Sequence, residues 1–343
     1  MSGWDGREAG AGHVSPLRGA GGLEALLADP DVSEILLNGG GRAFVERAGR
    51  LEPVTVDLDE SGVRRVVERV IAPLGLRLDR ASPMVDARLP DGSRLHAVLA
   101  PVAVDGTCVA IRRFGTARRR LEDFGLAPAG VDLLRWAVRA GWNLLLSGGT
   151  GAGKTTLLNV LAGEVEPGER IVTIEETAEL ALDQPHVVRL EARPANAEGA
   201  GAVPVRALVR AALRLRPDRL VIGEVRGGEA FDLLQALNTG HCGSLCTIHA
   251  NGPGDTLARL ESLVLLAGVG LPVDAIRAQI HSSIDAVVHV VRHPGGRRAI
   301  EAIAELSGPT GLRPLYPAGS ECGLPARPPR LADRAPFDAG RPG

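Results

Sequence analysis

A chain of 343 residues with 45% hydrophobic content is long enough for about two packed domains. A net charge of −2 excludes a surface that attracts polyanions everywhere, so nucleic-acid binding would require a local basic patch. The four cysteines form no C-x-x-C pair and no secreted disulfide framework, so a reducing compartment is the better reading, and no apolar run is long enough to span a bilayer.

Residues 1–21 are glycine-rich and aperiodic and read as a disordered N-terminus without the apolar core of a signal peptide. Residues 22–114 read as a small α/β domain. It starts with a short helix at Leu23–Ala28, ended by Asp29-Pro30, and strands at Ile35–Leu37 and Ala43–Glu46. Val63, Val66, Val67, Val70 and Ile71 share one side of a helix over Val63–Ala72. Three strands follow, Met84–Leu89, Ser93–Leu99 and Thr107–Arg112, the first two joined by an Asp91-Gly92 hairpin turn.

A linker at 115–126 precedes a second domain over 127–306. Here strands at 143–147, 170–174, 186–190, 219–223, 244–248, 286–291 and 299–305 alternate with helices at 128–140, 154–163, 204–215, 228–239, 254–267 and 273–282. Such alternation predicts an α/β fold, a mainly parallel sheet with helices on both faces. Residues 307–343, rich in Pro, Gly and Arg, read as a disordered tail.

One stretch dominates the chemistry. From Gly148 the residues Gly149, Thr150, Gly151, Ala152, Gly153, Lys154 and Thr155 complete G-x-x-x-x-G-K-[ST], and Thr156 follows. An apolar strand precedes the loop and a helical run follows it, the context this phosphate-binding motif requires. Successive loop N–H groups and the helix N-terminus converge on one anion. Lys154 can reach the β- and γ-phosphates of ATP, and the Thr155 hydroxyl can bind Mg²⁺.

Nucleotide hydrolysis also needs carboxylates. The apolar strand Leu220-Val221-Ile222-Gly223 ends in Glu224, positioned to act near Mg²⁺ through water. A second strand ends in Glu175-Glu176. Adjacent strand residues face opposite ways, so one of the pair can serve as general base, and Glu175 is the choice. His241 and His249 bracket one strand, where a histidine can sense phosphate or simply be an ordinary polar residue. Cys242 and Cys246 beside them could form a metal cluster but read better as small apolar residues. Arginines gather at Arg112-Arg113 and on the helix carrying Arg210 and Arg214. The latter pair is one turn apart, either aimed at a nucleotide or a solvated basic face.

Taken in order, the glycine loop, the I-E-E strand, L-R-L-R-P-D-R-L-V-I-G-E-V-R-G and G-H-C-G-S-L-C-T-I-H-A-N resemble the type II/IV secretion ATPase superfamily. In that superfamily they correspond to Walker A, Asp box, Walker B and His box. Val32–Gly39, Ser82–Arg94 and Ile111–Phe114 resemble its CpaF/TadA branch, the Tad/Flp pilus-assembly ATPases, which are also associated with conjugal transfer. The resemblance implies a RecA-like P-loop domain behind a smaller N-terminal domain, with ATP held between the two. It also implies a homo-oligomeric ring, usually a hexamer. It implies Glu175 as catalytic carboxylate and Glu224 in Walker B, Arg210 and Arg214 as arginine-finger candidates, and His241 and His249 in the His box. Arg88, Arg94, Arg112 and Arg113 would close over the phosphates. Glu176 and Cys242 stand where the family usually has Asp.

These readings lead to a cytoplasmic Mg²⁺-dependent ATPase motor, reaching the membrane through an inner-membrane platform protein and driving pilus assembly or secretion. Phosphate release would let the first domain swing. A conjugal DNA-transfer motor and a nucleotide-gated scaffold with little turnover are the alternatives. Few aromatic residues are available to stack bases, which weighs against direct nucleic-acid binding.

Overall fold

The structure is a computed structural model that describes residues 20–47, 49–113, 119–196, 198–308, 311–317 and 322–338. The chain divides into two compact units, the first formed mainly by residues up to Thr116 and the second from Ala117 onward.

The first unit contains α1 (Leu23–Ala28), β1 (Val32–Asn38), β2 (Ala43–Arg47), β3 (Arg50–Val54), α2 (Glu60–Ile71), β4 (Met84–Arg88), β5 (Arg94–Val98) and β6 (Cys108–Arg112). Its strands form one antiparallel sheet in the order β3-β2-β1-β6-β5-β4. Alternation does the sorting. Ile35, Leu37, Val45, Leu95 and Ile111 point to one face and pack with Val63, Val66, Val67 and Val70 of α2. Asp59 caps α2 by accepting from Gly62 N at 2.7 Å. The edge strand β3, with Pro53 and four exposed residues, lacks any such alternation, so no sequence pattern announces it.

In the second unit, α3 (Pro128–Arg139), β7 (Leu144–Gly148), α4 (Lys154–Gly163), β8 (Ile171–Glu175), β9 (Val187–Glu191), α5 (Val205–Ala212), β10 (Arg219–Val225), α6 (Glu229–Asn238), β11 (Leu245–His249), α7 (Pro253–Leu266), α8 (Val273–Ser283), β12 (Ala286–Arg292), β13 (Arg298–Ser307) and β14 (Gly311–Pro317) follow in order. The sheet order is β14-β13-β12-β7-β11-β10-β8-β9. From β12 to β9 every pairing is parallel, and β13 and β14 extend the edge as antiparallel strands. Leu144 and Leu146 of β7 pack toward α3 and α4, whereas Leu145 packs with α5 to α8. The sheet is therefore covered on both faces, as parallel strands require.

Buried polar groups register the strand beginnings. Asn143 N donates to Asp285 Oδ2 at 2.8 Å, Asn143 Nδ2 to Ser283 O at 2.6 Å, and Ser244 N to Asn143 Oδ1 at 2.9 Å. One residue thus joins the starts of β7, β11 and β12.

The segment from 307 departs from the sequence expectation of a structureless tail. Residues 311–317 form β14, with Leu315 and Tyr316 buried. Farther on, Arg327 Nη1 and Arg330 Nε reach the buried Asp285 at 3.1 and 2.5 Å. Trp142 Nε1 donates to Pro328 O at 3.0 Å, and Trp136 Nε1 to Ala335 O at 2.9 Å. The prolines there lack the N–H a ladder needs, and the segment's carbonyls and guanidiniums are satisfied by the body of the unit.

Candidate functional site

The glycine-rich loop joins β7 to α4. Lys154 opens the helix, and its Nζ donates to Gly148 O at 3.1 Å and Gly149 O at 3.0 Å. Gly148 is dictated by its surroundings: a Cβ there would lie 2.3 Å from Val290 O of the adjacent strand β12. Gly153 has φ 100° and forms the turn into the helix. Under the loop, Ser147 Oγ and His289 Nδ1 lie 2.9 Å apart, both buried. Burial holds the His289 imidazole below its ordinary pKa.

Parallel strands present their C-terminal ends to one edge of the sheet, and four sequence candidates meet there. Gly148 ends β7, Glu175 ends β8, Glu224 lies one residue from the end of β10, and His249 ends β11 in register with Gly148. This is the edge where ligands bind in open α/β sheets.

The two predicted carboxylates have opposite environments. Glu175 is 2% exposed, with Oε1 accepting from Glu179 N at 2.8 Å and Leu180 N at 3.0 Å. Its Oε2 is buried with no hydrogen-bond partner. Burial pushes its pKa up, against the pull of the two amides. Its neighbour Glu176 turns outward, as strand geometry demands, and pairs with Arg226 Nη1 at 2.6 Å. Glu224 is half-buried, and Arg226 Nε and Nη2 approach its Oε2 at 2.8 and 2.6 Å. Lys154 lies within electrostatic reach of this pair. Burial lowers its pKa, Glu224 opposes the shift, and Arg226 adds to it.

Other predicted residues are placed elsewhere. His241 precedes β11 and approaches Ala236 O at 3.0 Å from Nδ1. A five-residue strand separates it from the edge where His249 sits, about 13 Å at 3.3 Å per residue. Arg210 Nε donates to Asp232 Oδ1 at 2.7 Å, and Arg206 Nε to Asp232 Oδ2 at 2.5 Å. The anion opposite this basic face is thus a carboxylate of α6. Arg214 is exposed in the 3-10 turn Leu213–Leu215 that leads to the beginning of β10, away from the loop's edge.

In the first unit, Arg88 is opposite Arg94, and Arg94 opposite Arg112, across three neighbouring strands. Arg113 instead donates to the carbonyls of Asp29 and, at 2.9 Å, Val32, holding the entry to β1.

Among the described residues no cluster of three or more His, Cys, Asp or Glu side chains is placed to hold a metal ion. Cys246 is buried in the sheet, which pushes its thiol up to about 12. Thr155 and Glu224 offer hard oxygen donors of the kind Mg²⁺ takes, which needs few protein ligands and completes its shell from phosphate and water. Sequence reasoning assigned no role to Arg226, although it lies within the quoted Walker B stretch. Arg292 and Arg298 also escaped it, their only signal being basic residues around a Pro-Gly-Gly turn.

Residues 17–311 match the model of the family described as Type II/IV secretion system protein. The chain belongs to this family. A Mycobacterium tuberculosis protein named for conjugal transfer is 46% identical over 301 residues, covering 84% of this chain and 85% of that protein. The conjugal transfer protein TrbB of Rhizobium radiobacter is 34% identical, covering 82% and 86%. The type IV secretion system protein PtlH of Bordetella pertussis is 37% identical, covering 80% and 89%. Two solved structures share the fold. The Legionella pneumophila ATPase DotB has TM-score 0.61 at 21% identity, covering 85% of this chain and 81% of its own. The ADP-bound pilus retraction motor PilT has TM-score 0.62 at 20% identity, covering 82% and 81%. The second unit of this secretion-system protein is accordingly a RecA-like P-loop domain, preceded by a smaller α/β domain. No helix among its described residues is long and apolar enough to cross a membrane.

Proposed function

We propose that this chain is a cytoplasmic, Mg²⁺-dependent ATPase that works as a homo-oligomeric ring, a hexamer, and drives pilus assembly or protein secretion through an inner-membrane platform protein. One observation carries the enzymatic part of this reading. A single edge of a parallel sheet gathers the phosphate loop with Lys154, the buried Glu175, the half-buried Glu224 and His249.

Each residue has a role that follows from its surroundings. The loop amides and Lys154 bind the phosphate chain, and Lys154 exchanges two carbonyl partners for phosphate oxygens. Thr155 and Glu224 are the residues that would hold Mg²⁺, and the ion would supply positive charge to offset the charge developing on the phosphates. Glu175 orients and deprotonates the attacking water, since burial favours its taking a proton. Arg88, Arg94 and Arg112 are candidates to stabilise that charge, and Arg214 is the exposed candidate to act on a neighbouring copy. Lys154→Ala and Glu175→Ala should each abolish nearly all ATP turnover. A wild-type rate in either variant would refute the role given to that residue.

A second reading, a DNA motor for conjugation, is supported by the names of the 46% and 34% identical relatives. ATPase rates measured with and without single- and double-stranded DNA across a salt series separate the two. Stimulation that falls steeply with salt supports the DNA motor, and indifference to DNA supports the protein-moving one.

A further inference from the structure

We infer that Arg298, backed by Arg292, is a second cationic arm of the nucleotide site, directed at the α-phosphate end of a nucleoside di- or triphosphate. The inference rests on reading the loop as an ATP site and adds two residues from far along the chain.

Strand β12 runs beside β7 and continues past it, bringing Arg292 to the loop. The chain turns back through His293–Arg297, closed by His293 N to Arg297 O at 2.8 Å and Gly296 N to His293 O at 3.0 Å. Strand β13 then starts with Arg298, directly opposite Arg292. Arg298 Cδ lies 2.6 Å from where a Cβ on Gly153 would stand, and its Nη1 donates to Thr156 Oγ1 at 3.2 Å. Arg292 Nη1 lies 3.5 Å from the corresponding point on Gly151. The hairpin therefore lays one guanidinium along each half of the loop.

The electrostatics favour an anion there. Directly opposed like charges on neighbouring strands repel. They also lie against Gly151 and Gly153 at the positive N-terminal end of α4. A planar guanidinium matches the geometry of a phosphate group.

Helix geometry says which phosphate. Lys154 faces Gly148 and Gly149. Thr156 is two residues on, rotated by about 200° around the α4 axis. Arg298, bonded to Thr156, thus approaches from a different side than Lys154. With Lys154 engaged at the β- and γ-phosphates, the remaining group is the α-phosphate, present alike in ADP and ATP.

Titration calorimetry of the full chain with ADP and with ATP tests this. Arg298→Ala should weaken both nucleotides by the same factor, about tenfold to a hundredfold for a lost charge-assisted bond, and Arg298→Lys should recover part of it. Arg298→Gln, which keeps the stem on Gly153 without the charge, should show the same parallel loss and keeps the test readable should the alanine variant fold poorly. Unchanged ADP affinity in both neutral variants, or a loss confined to ATP, overturns the inference. Wild-type protein that binds neither nucleotide would overturn the ATP reading itself, a distinguishable failure.

Discussion

Arg226 and Glu224 form a closed pair, with two guanidinium nitrogens 2.8 and 2.6 Å from one carboxylate oxygen, while the same arginine holds Glu176. Glu224 is therefore already engaged by a cation that would compete with any metal ion. Arg226→Ala should lower the Mg²⁺ concentration for half-maximal ATP binding by several-fold, measured by Mg²⁺ titration at fixed ATP. An unchanged or higher Mg²⁺ requirement would show that Arg226 does not compete for Glu224.

Glu175 should leave a signature in the pH profile. Its carboxyl titrates above the ordinary value of about 4.3 because burial disfavours the anion. A base must be deprotonated to work, so the acid limb of kcat should lie above the ordinary carboxylate range. The same shift costs stability as pH rises from about 4.3 through the raised folded-state value, since the native state holds its proton more tightly than the unfolded chain. Single-turnover rates from pH 4 to 8 on wild type check this, with Glu175→Gln expected to lower the rate by about a hundredfold or more. An acid limb at the ordinary carboxylate value would remove Glu175 from the role.

Beneath the loop, His289 should make stability fall in mild acid. Its folded-state pKa lies below its unfolded value of about 6.5, so the unfolded chain takes up the proton first. The contribution is present above about pH 6.5 and is lost as pH falls toward the folded-state pKa. Melting temperatures between pH 7.5 and 5.5 should drop for wild type and drop less for His289→Asn. Identical slopes would exclude His289 as the source.

Removal of residues 322–338 should destabilise the second unit. Asp285, 3% exposed in its side chain, would lose two arginines at once, and stranding a buried charge costs about 3–5 kcal/mol. Trp136 and Trp142 would lose their carbonyl partners, so tryptophan emission should shift to the red. A truncated chain with unaltered emission and melting temperature would contradict this account of the segment.

The sequence made the second unit readable because each buried strand is a short apolar run between turn residues, and the helices repeat at helical spacing. The glycine loop was equally legible, its identity residing in local backbone demands at Gly148 and Gly153. Strands β3 and β14 were not. One is an exposed edge with Pro53, the other carries Pro314 and Pro317, and both lack alternation. Pairings across distant segments were also out of reach. Arg210 and Arg214 are spaced to face one anion, but only the packing of α5 on α6 reveals that Arg206 and Arg210 share Asp232. The outward Glu176 followed from strand geometry, yet its arginine partner did not.

The carbonyl of Val290 against Gly148 has a consequence for how the site comes into being. A nascent chain that stopped before β12 would contain every residue of the glycine motif and still lack the wall that shapes its first turn. The glycine loop thus gains its packed surroundings only once β12, among the last strands of the chain, is in place beside β7.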